Sequence, residues 1–346
     1  MNIIQSQMQQ IILDKIAPCV LFWVEHEGQL LYQEAQGTTM YEVTGSQPIA
    51  QDAIFDIASI TKIVVATAVL ILIDKGKLSL NDTLEKFIPS SAYGQNVTVQ
   101  HLLTHTSGIS VQMSRLAKLE SREQMWEAVL RAPLAQAPGV KVVSTNVNTF
   151  LLGRIIEIVA QERLDHFLKR ELFVPLDMQD TYFNPPETTW GRIPPTEIMD
   201  GRGLVCGQVH DESAFALGGI VGHAGLFSTA GDLSKFCRLW LEEGVYQGRR
   251  LLSQSLAQKA VQNHAPPHSM AIGLGWSLNR KWMGQFGSVG FGHTAFTGPS
   301  IMIAKPYGLS AIFLANRTYP QRRHVERHTY QGKIMDALFA EIVSGK

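Results

Sequence analysis

Cysteine is scarce in this chain of 346 residues: Cys19, Cys206 and Cys237 lie far apart and form no C-x-x-C pair. An odd number of widely spaced cysteines gives no basis for a disulfide framework or a zinc knuckle, so we expect buried, reduced thiols. The G-x-S-x-G nucleophile elbow and the phosphate-binding P-loop are missing as well. Two common frameworks for hydrolytic chemistry are therefore excluded.

An excess of charge of either sign is also absent, because 30 Lys and Arg residues balance 30 Asp and Glu residues. This balance gives no reason to expect nucleic acid, an anionic membrane surface or an acidic partner. We expect a small-molecule partner, and the sequence leaves the oligomeric state open. The length and a hydrophobic content of 45% suffice for one large domain or two closely packed ones.

Long hydrophobic runs are missing too. The longest, Ile63 to Ile73, is interrupted only by Thr67 and is well short of the roughly 20 residues that span a bilayer, so it predicts a buried helix. The first 16 residues mix Gln, Asp14 and Lys15 with apolar residues and lack the pattern of a secretory signal. We therefore expect a cytoplasmic protein that does not bind membranes.

The periodicity of apolar residues predicts both helices and strands. The predicted helices cover residues 2–15, 59–75, 100–103, 121–130, 149–170, 230–243, 253–263 and 331–343. The predicted strands cover residues 19–24, 29–33, 273–278, 288–293, 300–304 and 309–315. Helix 59–75 is apolar almost all round and stops at Gly76, as a buried helix with a glycine cap does. Residues 190–225, rich in Gly and Pro, predict a long ordered loop of the kind that borders a site.

One spacing points to chemistry. Ser59 and Lys62 lie on one face of the first turn of a predicted helix. A serine at a helix N-terminus has a free N–H and the positive end of the helix dipole beside it, which favours an oxyanion. A lysine in a dry pocket can lose its proton near neutral pH and then accept that of the serine. S-x-x-K occurs once here, but about one occurrence is expected by chance. The alternative is a capping serine with an outward-pointing lysine.

Further blocks accompany this motif from about residue 20 to residue 318. They are FDIASITK at 55–62, LIDKGKLSLND at 72–82, HLLTHTSGI at 101–109, PG at 138–139, LLG at 151–153, VHDE at 209–212, GG at 218–219, HAGLFSTA at 223–230 and FGHT at 291–294. Together they resemble the class C β-lactamase and penicillin-binding-protein-like serine hydrolases. The resemblance implies an α/β (α+β) fold, a mainly antiparallel sheet flanked by helices. Residues 1–78 and 223–346 would form the sheet domain and residues 79–222 a mainly helical insertion.

The resemblance also implies a second catalytic element, a Tyr-x-Asn triplet that falls on Ser144-Thr145-Asn146. Ser144 stands where the family has a tyrosine, which resembles the Ser-x-Asn of other penicillin-binding proteins. A neutral serine is a poor base, so Lys62 must carry more of the proton transfer. By this resemblance Asn146 hydrogen-bonds Lys62 and the substrate. The alternative is a simple turn ahead of a helix.

A third element, Lys/His-Thr-Gly, falls on His293-Thr294-Ala295. Family geometry implies that the N–H groups of Phe296 and Ser59 form the oxyanion hole. Ala295 in place of glycine would narrow the gap beside the strand. His293 would supply a weak, pH-dependent positive charge for a substrate carboxylate, which disfavours efficient β-lactamase activity. The alternative is a buried histidine bonded to a backbone carbonyl.

Two other groups of residues have simpler explanations. His105 near Ser107 could imitate a base and nucleophile, but in the family this block is a structural turn. His210-Asp211-Glu212 offers metal-type ligands, but consecutive residues do not easily converge on one ion and no second cluster has ligand spacing. We therefore expect no metal.

The sequence thus predicts a serine hydrolase that acts through an acyl-enzyme on a small ester or amide and needs no cofactor. The family architecture also hosts β-lactamases, D-amino-acid peptidases and transesterases. An esterase or amidase ranks first, and a β-lactamase or D-amino-acid peptidase is the alternative. A non-catalytic relative, whose changes at Ser144 and Ala295 mark lost chemistry, is a further alternative.

Overall fold

The computed structural model describes residues 2–42, 44–93, 96–119, 121–322 and 327–344. Its strands are β1 (Cys19–His26), β2 (Gln29–Gly37), β3 (Phe55–Asp56), β4 (Tyr182–Phe183), β5 (Glu197–Met199), β6 (Gly203–Val205), β7 (Leu226–Ser228), β8 (Val245–Tyr246), β9 (Arg249–Arg250), β10 (Ser277–Leu278), β11 (Phe291–Thr294), β12 (Ser300–Ala304) and β13 (Leu309–Ala315). Its α-helices are α1 (Asn2–Leu13), α2 (Thr61–Asp74), α3 (Leu84–Phe87), α4 (Val99–Leu103), α5 (Met113–Leu116), α6 (Arg122–Leu130), α7 (Asn146–Ala160), α8 (Leu164–Leu168), α9 (Glu212–Ala216), α10 (Ala230–Leu241), α11 (Gln254–Ala260) and α12 (Arg327–Ser344). In these ranges no helix is long and apolar enough to cross a membrane.

The main sheet joins the two ends of the chain. Its six strands in the described residues run in the order β10-β11-β12-β13-β1-β2, and each neighbouring pair is antiparallel. The N-terminal hairpin thus pairs with the C-terminal strands through β1 and β13, from Val20 opposite Ala315 to His26 opposite Leu309. This confirms the predicted mainly antiparallel α/β fold.

Helices cover both faces of this sheet because its strands are apolar on both faces. β12 and β13 are buried along their whole length, as expected of strands between two layers. α1, α12 and a 3-10 segment, Lys281–Ser288, enclose the core on one face. α2 and α10 belong to the larger core on the other face, which also takes in the helical middle of the chain.

Helix α2 lies inside that larger core. Its residues from Thr61 to Leu72 are all buried, in keeping with the nearly continuous run of Ile, Val, Leu and Ala. The helix ends at Asp74, and Gly76 follows with a φ of 68°, the left-handed conformation that favours glycine. The predicted buried helix with a glycine cap is therefore confirmed, except that its first residues, Ala58–Ile60, form a 3-10 turn.

The prediction of one helix over residues 149–170 is wrong. α7 already starts at Asn146 and stops at Ala160, because Gln161 takes up a left-handed conformation with a φ of 56°. α8 then begins at Leu164 and continues into a π-helical turn, Lys169–Phe173. Apolar periodicity runs on through this break, so the sequence pattern alone does not reveal it.

The predicted long loop at residues 190–225 contains the β5–β6 hairpin and α9. Two hydrogen bonds hold this segment against the end of β13: the side-chain amide of Asn316 donates to the carbonyls of Pro194 and Pro195, both at 2.9 Å.

The three cysteines are free thiols: Cys19 and Cys237 are buried, and Cys206 is only partly buried.

Candidate active site

Ser59 lies in a tight turn between β3 and α2. Ala58, just before it, has a φ of 40°, which is uncommon for a residue other than glycine. The buried carboxylate of Asp56 accepts the N–H of Ala58 at 2.8 Å and the N–H of His210 at 2.7 Å. It therefore holds the turn and ties it to the segment before α9. Ser59 is half-buried between buried neighbours, and its N–H belongs to the first turn of the helix, where N–H groups lack intrahelical partners.

Lys62 follows one turn later and is buried, with 5% of its surface exposed. Burial lowers the pKa of Lys62 from 10.5 to about 8, although the charge of Asp211 raises it. With this pKa, about a tenth of the lysine side chains are neutral at pH 7. Lys62 is therefore a candidate base one helical turn along the chain from Ser59.

Strand β11 passes beside the turn that carries Ser59. It is an inner strand of the main sheet, paired with β10 and β12. Just after it, the hydroxyl of Thr297 donates to the carbonyl oxygen of Asp56 at 3.1 Å. This bond fixes the end of β11 to the Ser59 turn, so residues 293–296 lie beside that turn.

His293 is a neutral ring in this strand. Its Nδ1–H donates to the carbonyl oxygen of Thr294 at 2.7 Å, and because a carbonyl only accepts, Nε2 holds the lone pair. Desolvation, together with the charge of Lys62, lowers the pKa of His293 to about 3 despite this bond. The pH-dependent positive charge expected at position 293 is therefore absent near neutral pH. The backbone-bonded histidine, considered above as the alternative, describes this geometry better.

The residues after His293 differ in exposure. Thr294 is half-buried, whereas the methyl group of Ala295 is buried in the main core. The N–H of Ala295 donates to the carbonyl of Pro299 at 2.7 Å, which closes the turn after β11. Because its methyl group packs into the core, Ala295 contributes to packing at the edge of the cleft.

Phe296, with 39% of its surface exposed, lies within this turn. Its ring lies against that of His210, with the centroids 5.8 Å apart. The guanidinium groups of Arg317 and Arg322 lie over the same ring at 4.8 Å and 5.6 Å from its centroid. An exposed aromatic ring with two cations over it therefore lies near the Ser59 turn.

In the second motif, Ser144-Thr145-Asn146, only one of the two predicted site side chains contacts another residue of the site. Asn146 is the first residue of α7, and its side-chain amide donates to the carboxylate of Asp211 at 3.4 Å. Ser144 is exposed, and its hydroxyl makes no hydrogen bond to any residue in the described part of the chain. The structure thus connects Asn146 to Asp211, whereas the expected hydrogen bond between Asn146 and Lys62 and any hydrogen bond of the Ser144 hydroxyl are absent from the described residues.

His105 is a neighbour of Lys62 that sequence reasoning treated only as part of a turn. Its Nδ1 accepts the side-chain amide N–H of Asn148 at 3.1 Å and the N–H of Thr145 at 3.4 Å, so the proton of the neutral ring is on Nε2. Desolvation, and then the charges of Lys62 and His293, lower the pKa of His105 to about 3. His105 is therefore an uncharged neighbour of Lys62. No spacing in the sequence connects residue 105 to residue 62.

Ser107 does not face the cleft as a nucleophile. It is 1% exposed, and its hydroxyl donates to the side-chain carbonyl of Asn148. The hydroxyl also accepts the N–H of Ile109 at 3.2 Å. The predicted structural role of this block agrees with the geometry.

Asp211 is the second residue that sequence reasoning missed. It caps α9 by accepting the N–H of Ala214 at 2.9 Å, and it also accepts the Ser213 hydroxyl at 2.6 Å. Nε2 of the fully buried His223 lies 3.3 Å from the same oxygen. Burial by itself raises the pKa of Asp211. The charge of His223 and the hydrogen bonds from His223, Ser213 and the Ala214 N–H outweigh burial, so the pKa of Asp211 is lowered. Asp211 is therefore an ionised carboxylate near Lys62.

The three consecutive residues that offered metal-type ligands point in different directions. His210 contacts Glu197 at 2.5 Å, Asp211 faces His223, and Glu212 pairs with Arg322. Among the described residues, no group of three or more His, Cys, Asp and Glu side chains has an arrangement suited to a metal ion. These residues serve as structural and electrostatic partners.

A half-exposed serine at a helix start, a buried lysine one turn later and a sheet strand along the cleft define a class of protein, the serine hydrolases that use an S-x-x-K pair. The sequence matches the family described as Beta-lactamase over residues 2–335. The chain belongs to this family, as the motifs had suggested.

Curated relatives and solved structures are consistent with this membership. A protein of Escherichia coli (strain K12) named "Putative D-alanyl-D-alanine carboxypeptidase" is 28% identical, with 87% of this chain and 79% of the relative covered. The structure of "EstCE1, a hydrolase with promiscuous acyltransferase activity" matches with a TM-score of 0.79 and 19% identity, over 98% of each chain. A class C β-lactamase matches with a TM-score of 0.79 and 17% identity, over 97% of this chain and 96% of the other. These structures share the fold.

Proposed function

We propose that this protein hydrolyses small esters or amides through an acyl-enzyme on Ser59, with Lys62 as the base. The observation that carries the proposal is the buried lysine, largely stripped of water, one turn from a half-exposed serine at the start of α2. Neutral Lys62 takes the proton of the Ser59 hydroxyl as its oxygen attacks the acyl carbon. The proton then passes to the leaving group, and water releases the acyl group in the second half of the reaction.

The oxyanion hole that we propose consists of the N–H groups of Ser59 and Phe296. Its support is the Thr297–Asp56 hydrogen bond, which holds the segment that carries Phe296 beside the turn that carries Ser59. Thr294 and Ala295 would form the strand edge along which the substrate lies. Asn146, held by Asp211, would contact the substrate, and Ser144 has no contact that supports a proton relay.

The charge at position 293 bears on the substrate class. A substrate with a free carboxylate next to β11 needs a cation there, and the neutral His293 ring supplies none. Esters and amides without that carboxylate lose nothing by its absence. We therefore rank an esterase or amidase first.

A D-amino-acid peptidase is the second candidate, favoured by the names of the enterobacterial relatives. It would need another cation for the terminal carboxylate, and the candidates are Arg317 and Arg322 over the Phe296 ring, of which Arg322 already pairs with Glu197 and Glu212. A β-lactamase shares the requirement for a carboxylate partner.

The test is a comparison of acyl donors on the wild-type protein. Intact mass spectrometry after treatment with a fluorophosphonate, benzylpenicillin and p-nitrophenyl esters shows which donors label the chain, and kcat/KM ranks the esters against nitrocefin and a D-alanyl-D-alanine peptide. We expect the short esters to rank first. A nitrocefin or peptide kcat/KM ten times that of the best ester would reverse the ranking, and no labelling or turnover by any donor would favour the non-catalytic alternative.

We also propose a cytoplasmic location, supported by the three free thiols, which suit a reducing compartment. Fractionation of the source cells, with an antibody against this chain, tests the proposal. Recovery in a periplasmic or extracellular fraction would contradict it.

A further inference from the structure

We infer that Asp211 is a positioning residue of the Ser59 site: its carboxylate holds the side-chain amide of Asn146 and supplies a negative charge to the surroundings of Lys62. The inference rests on the proposed function, since it concerns the base of that reaction. The family uses a tyrosine opposite the lysine, and at that position this chain has the exposed Ser144. On this side of the site it is instead the carboxylate of Asp211 that binds Asn146, and its charge acts on Lys62 without a direct ion pair in the described residues.

Two successive residues bring this carboxylate between the first and second motifs. The N–H of His210 is bound to Asp56, the residue that shapes the Ser59 turn. The side chain of the next residue, Asp211, accepts the amide N–H of Asn146 at the start of α7. Residues 210–211 therefore connect both catalytic segments, and a movement of either would move the carboxylate relative to Lys62.

The other oxygen of the Asp211 carboxylate, Oδ1, also accepts hydrogen bonds. The Ser213 hydroxyl lies 2.6 Å from one carboxylate oxygen and 3.0 Å from Nε2 of His223, so the three side chains form one largely buried hydrogen-bonded cluster. His223 follows Gly222, which packs directly on α7: a Cβ at Gly222 would lie 1.9 Å from the carbonyl oxygen of Thr149. The position of His223 is thus fixed by backbone contact with the helix that carries Asn146.

The charged and titratable groups around the pair come from four elements. Lys62 is faced by His105 from the segment after α4, by His293 from β11 and by Asp211 from the segment before α9. Asp211 is faced in addition by His223, from the segment before β7, and by Asp56, from β3. Both His105 and His293 are neutral near pH 7. Of the groups that face Lys62, Asp211 thus supplies the negative charge.

This arrangement predicts the sign of a measurable effect. A nearby negative charge favours protonated lysine, so its removal favours the neutral base. The rising limb of kcat/KM against pH should therefore move to lower pH when Asp211 loses its charge. A residue that only supported the fold would lower activity at every pH without moving this limb.

The experiment compares Asp211→Asn and Asp211→Ser with the wild-type protein on one p-nitrophenyl ester from pH 6 to pH 10. Both residues are good helix caps, so the hydrogen bond from the Ala214 N–H and the fold should survive. We expect the activity at pH 6, relative to the alkaline plateau, to rise at least about threefold, which corresponds to half a pH unit. Asp211→Glu, which keeps the charge, should restore the wild-type limb.

The matched control is Glu212→Gln, the same loss of charge one residue along the chain, where the carboxylate pairs with Arg322 instead. Its limb should coincide with that of the wild-type protein. An unmoved limb in both Asp211 variants, or a limb displaced to higher pH, would overturn the inference. Failure of the proposed function would look different, because the wild-type protein would then show no Ser59-dependent turnover at any pH.

Discussion

The two serines that the sequence places in the catalytic motifs, Ser59 and Ser144, lie in opposite surroundings. Ser59 is half-buried in a turn that the buried carboxylate of Asp56 and the hydroxyl of Thr297 hold together. Ser144 is exposed on a loop, and its hydroxyl has no hydrogen-bond partner among the residues that the structure describes. A position in a motif is thus not sufficient for a catalytic role, because the surrounding groups must also orient the side chain.

The surroundings of the two serines also indicate which group accepts the proton of the Ser59 hydroxyl. On the Ser144 side, the groups that reach the lysine pocket are Asp211, which is ionised, and His105, which is neutral with a pKa of about 3. Neither combines a free lone pair with a pKa near neutral pH, which a general base needs. Lys62, with a pKa of about 8, is the group of this network that does.

The largest effect should follow the loss of the Ser59 hydroxyl. Ser59→Ala should reduce ester hydrolysis by at least about a thousandfold and abolish covalent labelling, because the nucleophile is gone. Kinetics with p-nitrophenyl esters and intact mass spectrometry measure both. Circular dichroism should be unchanged.

Ser255→Ala, an exposed serine on α11, is the matched control and should keep wild-type activity and labelling. Retained turnover or labelling in Ser59→Ala would mean that another residue is the nucleophile.

The next largest effect concerns the base. Lys62→Arg and Lys62→Met should each lose more than about a hundredfold in kcat/KM, because guanidinium stays protonated and methionine cannot accept a proton. For the wild-type protein, kcat/KM should rise with pH through an apparent pKa near 8, since the deprotonated lysine is the active form and burial brings its pKa down from 10.5. A pH series on one ester measures both.

Lys75→Arg tests the same substitution near the other end of the helix, where the lysine is exposed and pairs with Glu171, and should change activity little. If Lys62→Arg kept more than about a tenth of wild-type activity, a barrier change below about 1.4 kcal/mol, Lys62 would not be the base. A flat pH profile between pH 6 and pH 9 would speak against it equally.

A smaller effect, on stability, should follow removal of the charge that shapes the Ser59 turn. Asp56→Asn puts one amide N–H group against the N–H donors of Ala58 and His210, so one buried bond is lost. The free energy of unfolding should fall by about 1–3 kcal/mol, measured by urea denaturation. Asp52→Asn, which alters an exposed ion pair with Arg192, should change it by less than about 1 kcal/mol. Equal values for the two variants would mean that Asp56 does not stabilise the turn.

The sequence predicted most of the framework, for reasons that the structure makes plain. The run from Ile63 to Ile73 is apolar on every face and could only be a buried helix, and the strand patterns at 300–304 and 309–315 agree with β12 and β13. The break at Gln161 was missed because a left-handed residue inside a periodic pattern leaves no hydrophobic signal.

The site was predicted less completely, because it depends on contacts between distant segments. Ser59 and Lys62 could be paired because they lie on one turn. Asp211 and Lys62 are far apart in sequence, and no spacing shows that the segment before α9 faces α2. The neutral state of His293 likewise follows from burial beside Lys62, which the residue type alone does not reveal.

The smallest effect should come from Ser144, and it decides whether the contrast between the two serines holds. A hydroxyl that relayed the proton would be worth about 10–100-fold in rate, the lower part of the range for a single general acid–base group. An exposed hydroxyl without a hydrogen-bond partner in the described residues has no such role, so Ser144→Ala should keep kcat/KM within about threefold of wild type at every pH. The pH series on the same ester measures this. Asn146→Ala, two residues along, should lose more, because it removes the amide bound to Asp211. A loss of tenfold or more in Ser144→Ala, with the circular dichroism spectrum unchanged, would show that the loop carries Ser144 into the cleft during the reaction and that the two serines are partners.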